Sequence, residues 1–401
     1  MCSYFSEAGQ ETSDINQSPL LYKNNMSEKK KPEPINPFTF KYLTFDVLED
    51  TTFEFYGNNI QYSLDDGATW LTLNSGNETD TISAGSKILW KMNDPIIDRD
   101  KGGIGGFWSS GSYNISGNIM SLLYGDDFSD KNDLSGYQAT FNYMFESNDG
   151  LIDTSNLILP ATTLTEGCYA NMFSNCTSLT TAPELPATTL AEGCYANMFE
   201  GCTSLTAAPA LPATTLAEGC YVGMFSYCTA LTTAPELPAT TLAEGCYVGM
   251  FSYCTALTTA PELPATTLVE YCYANMFSSC SSLNYVKCLA TDISAESCTG
   301  YWLEGVARDG IFVKAEGMED WETDSSSGIP HGWFNGITKI IPTMQINTPN
   351  YLTVSLDSEE DARIALMELS PNQTIYISED HVNWMEVEEN SLFDIPKTNL
   401  Y

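Results

Sequence analysis

The sequence predicts a repeat solenoid of the leucine-rich-repeat-like kind, flanked by small all-β modules. The first observation is a 26-residue unit that occurs five times without a gap between residues 159 and 288. The second is a series of short β-type runs separated by Asn, Asp and Gly turns between residues 38 and 133. A similar pattern returns after Ile340. We therefore divide the chain into a polar tether at 1–36, a β-sandwich-like module at 37–135, a solenoid with end caps at 136–335, and a second, abbreviated β module at 336–401.

The first 36 residues are polar and include the run SEKKKPEPINP, which is typical of a flexible tether. No signal peptide is visible, because no apolar segment suited to secretion precedes this tether. No apolar run reaches the length of a membrane span, so direct membrane insertion is not expected. Two interpretations of Cys2 stay open. The favoured one is an ordinary cysteine near a start codon. The other is the lipidation site of a mature lipoprotein whose signal peptide was replaced by Met1.

The β-sandwich-like module is expected to have strands near residues 42–45, 52–56, 60–64, 70–73 and 88–90. The string SxDxGxTW at 63–70 predicts a hairpin whose Ser and Asp side chains bond local amides, with Trp70 packed beneath. A glycine-rich run follows at 102–112. No Lys-Ser or Lys-Thr comes after it, so a phosphate-binding loop is not predicted.

An acidic loop ends this module and contains Asp126, Asp127 and Asp130. These carboxylates are a candidate Ca²⁺ site, since carboxylate oxygens are the ligands that Ca²⁺ prefers. Their spacing departs from the EF-hand pattern, and a solvated acidic loop is the favoured interpretation. Apart from this site, the sequence predicts no cofactor and no metal.

Each repeat unit predicts a short helix followed by a short extended segment. Thr189 and Glu192 have the spacing of a capping box, in which the two side chains would cap the start of a helix. Cys194, Met198 and Cys202 then fall at i, i+4 and i+8, which would form one apolar stripe along that helix. Prolines after Leu205 exclude helix from the rest of the unit. Stacked units of this kind would share one continuous core.

Thirteen cysteines occur in the chain, and ten of them lie in two columns of the repeat. We expect buried, reduced thiols that act as small hydrophobic residues. Two cysteines eight residues apart in a helix are too distant to form a disulfide. The sequence also contains no CxxC motif, which is the motif that would indicate a zinc site. The predicted repeat core comprises Cys168, Cys194, Cys220, Cys246, Cys272, Met198, Phe199, Cys202 and Leu205.

The run CYANMFEGCTSL, followed by an LP pair, resembles the BspA-type leucine-rich repeat of bacterial surface proteins. With LPATTLA and GCY, the unit is similar to repeat proteins of gut Bacteroidales (Bacteroides and its relatives) and their phages. The resemblance covers about residues 159–333. It implies a solenoid used for adhesion or ligand recognition, at the bacterial cell surface or on a phage virion. It implies no catalytic residues.

Charge excludes several classes of function. The chain has 52 acidic and 16 basic residues, and its net charge of -36 would repel nucleic acid and anionic lipid headgroups. No Lys or Arg occurs between Lys131 and Lys287, so the repeats carry no basic patch. The two histidines lie outside the repeats, which argues against a Cys-His nucleophile. The sequence therefore predicts no enzyme.

One position of the repeat, directly before an invariant cysteine, differs between most units. Just before the second cysteine column, successive units carry Asn175, Gly201, Tyr227, Tyr253 and Ser279. Variation at one position of a fixed unit is what a tunable binding surface needs, so Tyr227, Tyr253 and Asn175 are the candidate binding face. Duplication of one unit is the alternative origin of the tyrosine pair. We expect surface recognition or adhesion through a glycan or protein ligand; the alternative is a structural or receptor-binding phage component that forms a homo-oligomer through the β modules.

Overall fold

The computed structural model describes residues 41–93, 95–98, 103–318, 321–323 and 326–337, together with four strands between residues 362 and 395. The predicted tether at 1–36, including Cys2, lies outside the described residues. Most of the predicted second β module also lies outside them.

The N-terminal module contains two β-sheets with an aromatic core between them. The strands are β1 (Leu43–Val47), β2 (Phe53–Gly57), β3 (Ile60–Ser63), β4 (Leu71–Leu73), β5 (Lys87–Lys91), β6 (Gly105–Ser109), β7 (Tyr113–Asn118) and β8 (Leu151–Ile158). Six of them form one sheet in the order β4-β3-β5-β1-β7-β8, in which only β7 and β8 run parallel. The other two, β2 and β6, pair antiparallel. Seven ring pairs have centroids 4.9–6.1 Å apart, among Phe45, Phe53, Trp90, Phe107 and Tyr113.

The hairpin between β3 and β4 is closed by the side chains that the sequence indicated. The Asp65 carboxylate accepts hydrogen bonds from the Ser63 hydroxyl and from the Thr69 N–H, both at 2.8 Å. Gly67 donates its N–H to the Ser63 hydroxyl at 2.9 Å. Trp70 packs edge-on against Tyr42, with centroids 5.0 Å apart. After β7, a short helix, α1 (Ser121–Tyr124), and a 3-10 turn (Gly125–Asp127) lead into the acidic loop.

The helix predicted in each repeat unit is wrong, because a chain of tight turns forms there instead. In the unit that begins at Leu185, alternate N–H groups from Cys194 to Cys202 donate to the carbonyl three residues earlier, at 3.0–3.2 Å. The N–H groups between them, from Gly193 to Gly201, donate to carbonyls of the next unit at 2.7–3.1 Å. We call this segment, residues 191–202 and its equivalents, the turn ribbon.

A left-handed backbone at every fourth residue characterises the turn ribbon. Gly193, Asn197 and Gly201 have φ of 54°, 53° and 70°. A positive φ at the third residue of a turn is the mark of a type II turn, and Gly and Asn adopt it at least cost. Equivalent triplets recur along the chain: Ala139, Tyr143, Ser147; Gly167, Asn171, Asn175; Gly219, Gly223, Tyr227; Gly245, Gly249, Tyr253; Tyr271, Asn275, Ser279; and Ser297, Tyr301, Gly305.

The extended segment of each unit forms isolated parallel bridges, rather than the continuous strand expected. One bridge joins Ala207 to Thr233 of the next unit. Proline explains the interruption, because Pro209 has no N–H to donate to a ladder. Units with Ser155 or Lys287 at the equivalent position form continuous strands, namely β8 and β9 (Tyr285–Cys288).

The first repeat continues both sheets of the N-terminal module. β8 pairs with β7 along its length. On the opposite side, Ile104 and Phe107 donate N–H groups to the carbonyls of Thr140 and Met144 in the first turn ribbon, at 3.0 and 2.8 Å. The glycine-rich run permits this approach, because a Cβ at Gly103 would overlap the Thr140 carbonyl oxygen. Its role is therefore close backbone contact.

Two aromatic ladders run through the core of the stacked units. Successive phenylalanines, starting at Phe145, stack with centroids 5.4–5.7 Å apart and planes within 11°. Successive tyrosines, starting at Tyr169, stack at 5.7–6.0 Å. The ladder of phenylalanines begins in the N-terminal module, since Phe107 stacks on Phe145 at 5.6 Å. The two regions therefore share one hydrophobic core.

At the C-terminal end, β9 pairs in parallel with β10 (Ile311–Lys314), which pairs with β11 (Phe334–Ile337). Four further strands form two antiparallel pairs. These are β12 (Ala362–Ala365) with β15 (Leu392–Ile395), and β13 (Ile375–Ile377) with β14 (Met385–Val387).

Deletion of residues 237–262 should leave a folded, shorter protein, because this unit repeats 211–236 letter for letter and its removal regenerates both interfaces. Thermal unfolding followed by circular dichroism checks this. Deletion of residues 237–249 should abolish the cooperative transition, since half a unit puts the inter-unit hydrogen bonds at that junction out of register. Equal tolerance of the two deletions would contradict the stacking described above.

Candidate binding face

The repeat-core residues named from the sequence are fully buried. Their side chains have 0% exposure, and they line the inner side of the turn ribbon: Cys168, Cys194, Cys220, Cys246, Cys272, Met198, Phe199, Cys202 and Leu205. These residues form the scaffold beneath the candidate face and are closed to a ligand.

The second cysteine column has a hydrogen-bonding role that sequence reasoning missed. Cys202 donates its thiol to the carbonyl of Phe173 in the preceding unit, with Sγ and O 3.1 Å apart. The thiols of its equivalents do the same at 2.9–3.1 Å. Burial raises the pKa of the Cys168 and Cys176 thiols to about 12. Protonated, buried thiols are poor nucleophiles.

The predicted helix caps are corrected by the structure, because there is no helix for Thr189 and Glu192 to cap. Thr189 lies in a parallel bridge with Thr215 of the next unit. The backbone carbonyl of Glu192 accepts the N–H of Gly167 at 2.9 Å, and its side chain is exposed. Glu192 therefore belongs to an exposed column of carboxylates, one in each unit, at the start of the turn ribbon.

Two of the three candidate Ca²⁺ residues have other partners. Asp126 accepts hydrogen bonds from the Lys91 ammonium at 2.6 Å and the Tyr42 hydroxyl at 2.7 Å, which hold the pKa of its carboxyl below the ordinary value. Asp130 pairs with Lys131 at 3.1 Å. Across the described ranges, no three metal-binding side chains converge. Asp126, Asp127 and Asp130 thus follow one another along the chain without forming a cation cage.

The candidate binding residues Asn175, Tyr227 and Tyr253 all occupy the third left-handed position of the turn ribbon, with φ of 57°, 60° and 61°. Each side chain is exposed. The two tyrosine rings stack on each other with centroids 4.4 Å apart and planes 7° apart. They are closer than the aromatic rings of the buried ladders.

Three other exposed tyrosines were missed by the sequence analysis. Tyr143, Tyr271 and Tyr301 also occupy left-handed positions, and the five tyrosines are 38–53% exposed. Residues other than Gly, Asn and Asp are uncommon in this conformation, and bulky residues are exceptional. The signal in the sequence was a Tyr where neighbouring units carry Gly, Asn or Ser.

The exposed side of the turn ribbons is defined here as the tyrosine face. It carries the five tyrosines, together with the amides of Asn171, Asn175, Asn197 and Asn275. Chemically, such a surface offers flat apolar rings separated by hydrogen-bonding groups.

Comparison with protein-family models, with curated proteins and with solved structures finds no match to this chain. In the part of the chain that the structure describes, none of the helices has the length and apolar character needed to cross a membrane.

The twelve described cysteines should resist alkylation in the native protein, because all are buried and at most weakly ionised at neutral pH. Intact-mass analysis after iodoacetamide treatment, with and without denaturant, measures this. We expect modification of these twelve only in denaturant. A native disulfide between repeat cysteines, or rapid native labelling at Cys194 or Cys202, would contradict the assignment.

Proposed function

We propose that this protein is a non-enzymatic surface recognition protein that binds a glycan or protein ligand through the tyrosine face. The observation that carries the proposal is the presence of exposed tyrosines at left-handed positions. Such positions cost a bulky residue about 1 kcal/mol or more of backbone strain, which folding alone gives no reason to accept. Strain of this kind concentrates at functional sites.

The resemblance to BspA-type leucine-rich-repeat proteins of gut Bacteroidales and their phages supports the same conclusion. Proteins of that kind use a repeat scaffold for adhesion, and this is the role proposed for the present chain, at the bacterial cell surface or on a virion. The charge of the chain also supports it: a net charge of -36 disfavours nucleic acid and anionic membranes as partners.

Replacing Tyr227 and Tyr253 together with Asn should abolish adhesion while leaving the fold intact. Asn is the residue that Asn175 supplies at the same position of another unit, and it accepts a left-handed backbone. Binding of fluorescent protein to mucin-coated plates and to gut bacterial cells is the measurement. Leu71→Thr is the matched control, since it removes a similarly exposed apolar side chain from β4, outside the tyrosine face.

Undiminished adhesion by the folded double variant would remove the tyrosine face as the binding surface. Glycosidase or protease turnover by the purified chain would contradict the non-enzymatic assignment.

The alternative proposal is a phage appendage component that forms a symmetric homo-oligomer through its β modules. Support comes from the outer side of the β2–β6 sheet, where the exposed Tyr56 and Trp108 lie diagonally across neighbouring strands. Light scattering should then give an oligomer, and Trp108→Ser should shift it to a monomer. A wild-type monomer over the whole accessible concentration range would exclude this arrangement.

A further inference from the structure

The contact between Tyr227 and Tyr253 differs from every other contact between tyrosines in the described ranges of the chain. Both rings are exposed, by 46% and 42%, and they lie parallel, with planes 7° and centroids 4.4 Å apart. Paired backbones are usually about 4.8 Å apart, so the rings lie closer together than the adjacent backbones that carry them. The two phenols therefore lean together at the protein surface, in direct contact.

The two units that carry these tyrosines are identical. Residues 211–236 and 237–262 have the same sequence, and φ is 60° at Tyr227 and 61° at Tyr253. Because identical units repeat along the stack, the second ring has the placement of the first, one unit further on. The carbons next to the hydroxyl-bearing carbon of one ring, the Cε atoms, therefore face the same atoms of the other ring.

Facing Cε atoms are the arrangement that oxidative coupling of two phenols requires. Loss of one electron and one proton from each tyrosine gives two phenoxyl radicals, whose unpaired electrons are shared between the oxygen and the Cε carbons. A C–C bond forms between the facing Cε atoms, and each ring then transfers its Cε hydrogen to the oxygen as a proton, which restores both phenols. The net change is the loss of two hydrogen atoms, which reduce one molecule of hydrogen peroxide to two molecules of water.

We propose that Tyr227 and Tyr253 form an oxidative cross-linking site, at which a haem peroxidase that consumes hydrogen peroxide joins neighbouring units through a dityrosine bond. The site does not depend on which ligand the tyrosine face binds. The bond closes a loop between residues 26 apart in sequence, and so restricts the unfolded chain as a disulfide would. The twelve described cysteines are free thiols, so no disulfide does this among the described residues.

The buried tyrosine ladder is not expected to couple. Its rings are 5.7–6.0 Å apart and at most 2% exposed, so an oxidising enzyme cannot reach them and the packed core holds them apart. Burial also raises the pKa of these phenols, as at Tyr195, which disfavours loss of the phenolic proton.

The remaining exposed tyrosines of the tyrosine face lack the arrangement. Tyr143, Tyr271 and Tyr301 are 38–53% exposed, but within the described residues none of them stacks on another exposed tyrosine. Tyr124 and Tyr137 meet in the N-terminal region, but edge-on, with centroids 5.8 Å and planes 71° apart. Coupling should therefore be selective for Tyr227 and Tyr253.

The test treats the dilute full chain with a haem peroxidase and hydrogen peroxide. We expect the blue fluorescence of dityrosine in protein that stays monomeric on a denaturing gel, with an intact mass lower by two hydrogen atoms. Cleavage after glutamate separates the two tyrosines, because Glu236 and Glu244 lie between them. The identical peptides 219–236 and 245–262 should remain joined, and fragment ions should place the bond at the tyrosines that follow Ser226 and Ser252.

Tyr253→Phe is the decisive variant, because it keeps a ring for Tyr227 to stack on and removes the phenol that coupling needs. Tyr271→Phe is the matched control, since it removes a similarly exposed phenol outside the pair. We expect the monomeric fluorescent product to be lost in Tyr253→Phe and unchanged in Tyr271→Phe. Treated wild-type protein should also unfold at a higher denaturant concentration than untreated protein, a shift that treated Tyr253→Phe should not show.

Three results would overturn the cross-linking site: no monomeric product from the folded wild-type chain, a product that persists in Tyr253→Phe, or a bond mapped to other tyrosines. Cross-linked wild-type protein with an unchanged unfolding midpoint would overturn the stabilising role of the bond.

Discussion

The left-handed backbone at every fourth residue is the constraint on which the repeat region depends. It allows alternate N–H groups to close turns within a unit while the others reach the next unit, so that each ribbon N–H from Gly193 to Cys202 has a partner. It also sorts the side chains. Residues such as Cys194 and Met198 enter the core, and the left-handed positions remain at the surface, where Gly and Asn are favoured. The same left-handed backbone thus produces both the buried scaffold and the exposed candidate face.

The sequence predicted correctly which repeat residues are buried, but it predicted the wrong backbone conformation for them. A residue that recurs every 26 positions without a gap has the same neighbours in each unit. The buried columns of cysteine, methionine and phenylalanine could therefore be predicted from the repeat alone. A helix was expected because Cys194, Met198 and Cys202 are four residues apart, a step that the turn ribbon shares. The contrary signal was Gly193, Asn197 and Gly201, since Gly and Asn disfavour helix. Extended segments were also expected to form strands, and prolines such as Pro209 interrupt them.

The candidate face could be predicted only in part. Variation among aligned units identified Asn175, Tyr227 and Tyr253, because the units align without a gap and the cysteine that follows is invariant. Tyr143 and Tyr301 lie in the degenerate end units, where the register is hard to assign from sequence. The stacking of Tyr227 on Tyr253 depends on how units are placed in space, which no linear pattern specifies. The partner of the acidic loop could not be predicted for the same reason, because Lys91, which forms an ion pair with Asp126, is distant from it in sequence.

Gly249→Ala tests the turn ribbon most directly, because helix and ribbon predict opposite signs. Gly249 has a φ of 60° and open space around the position of a Cβ, so the left-handed backbone is the only cost of the added methyl group. Equilibrium unfolding in denaturant should show the variant destabilised by about 1 kcal/mol. In a helix interior the same change would stabilise by a similar amount, about 1 kcal/mol. Stabilisation of the Ala variant would contradict the account.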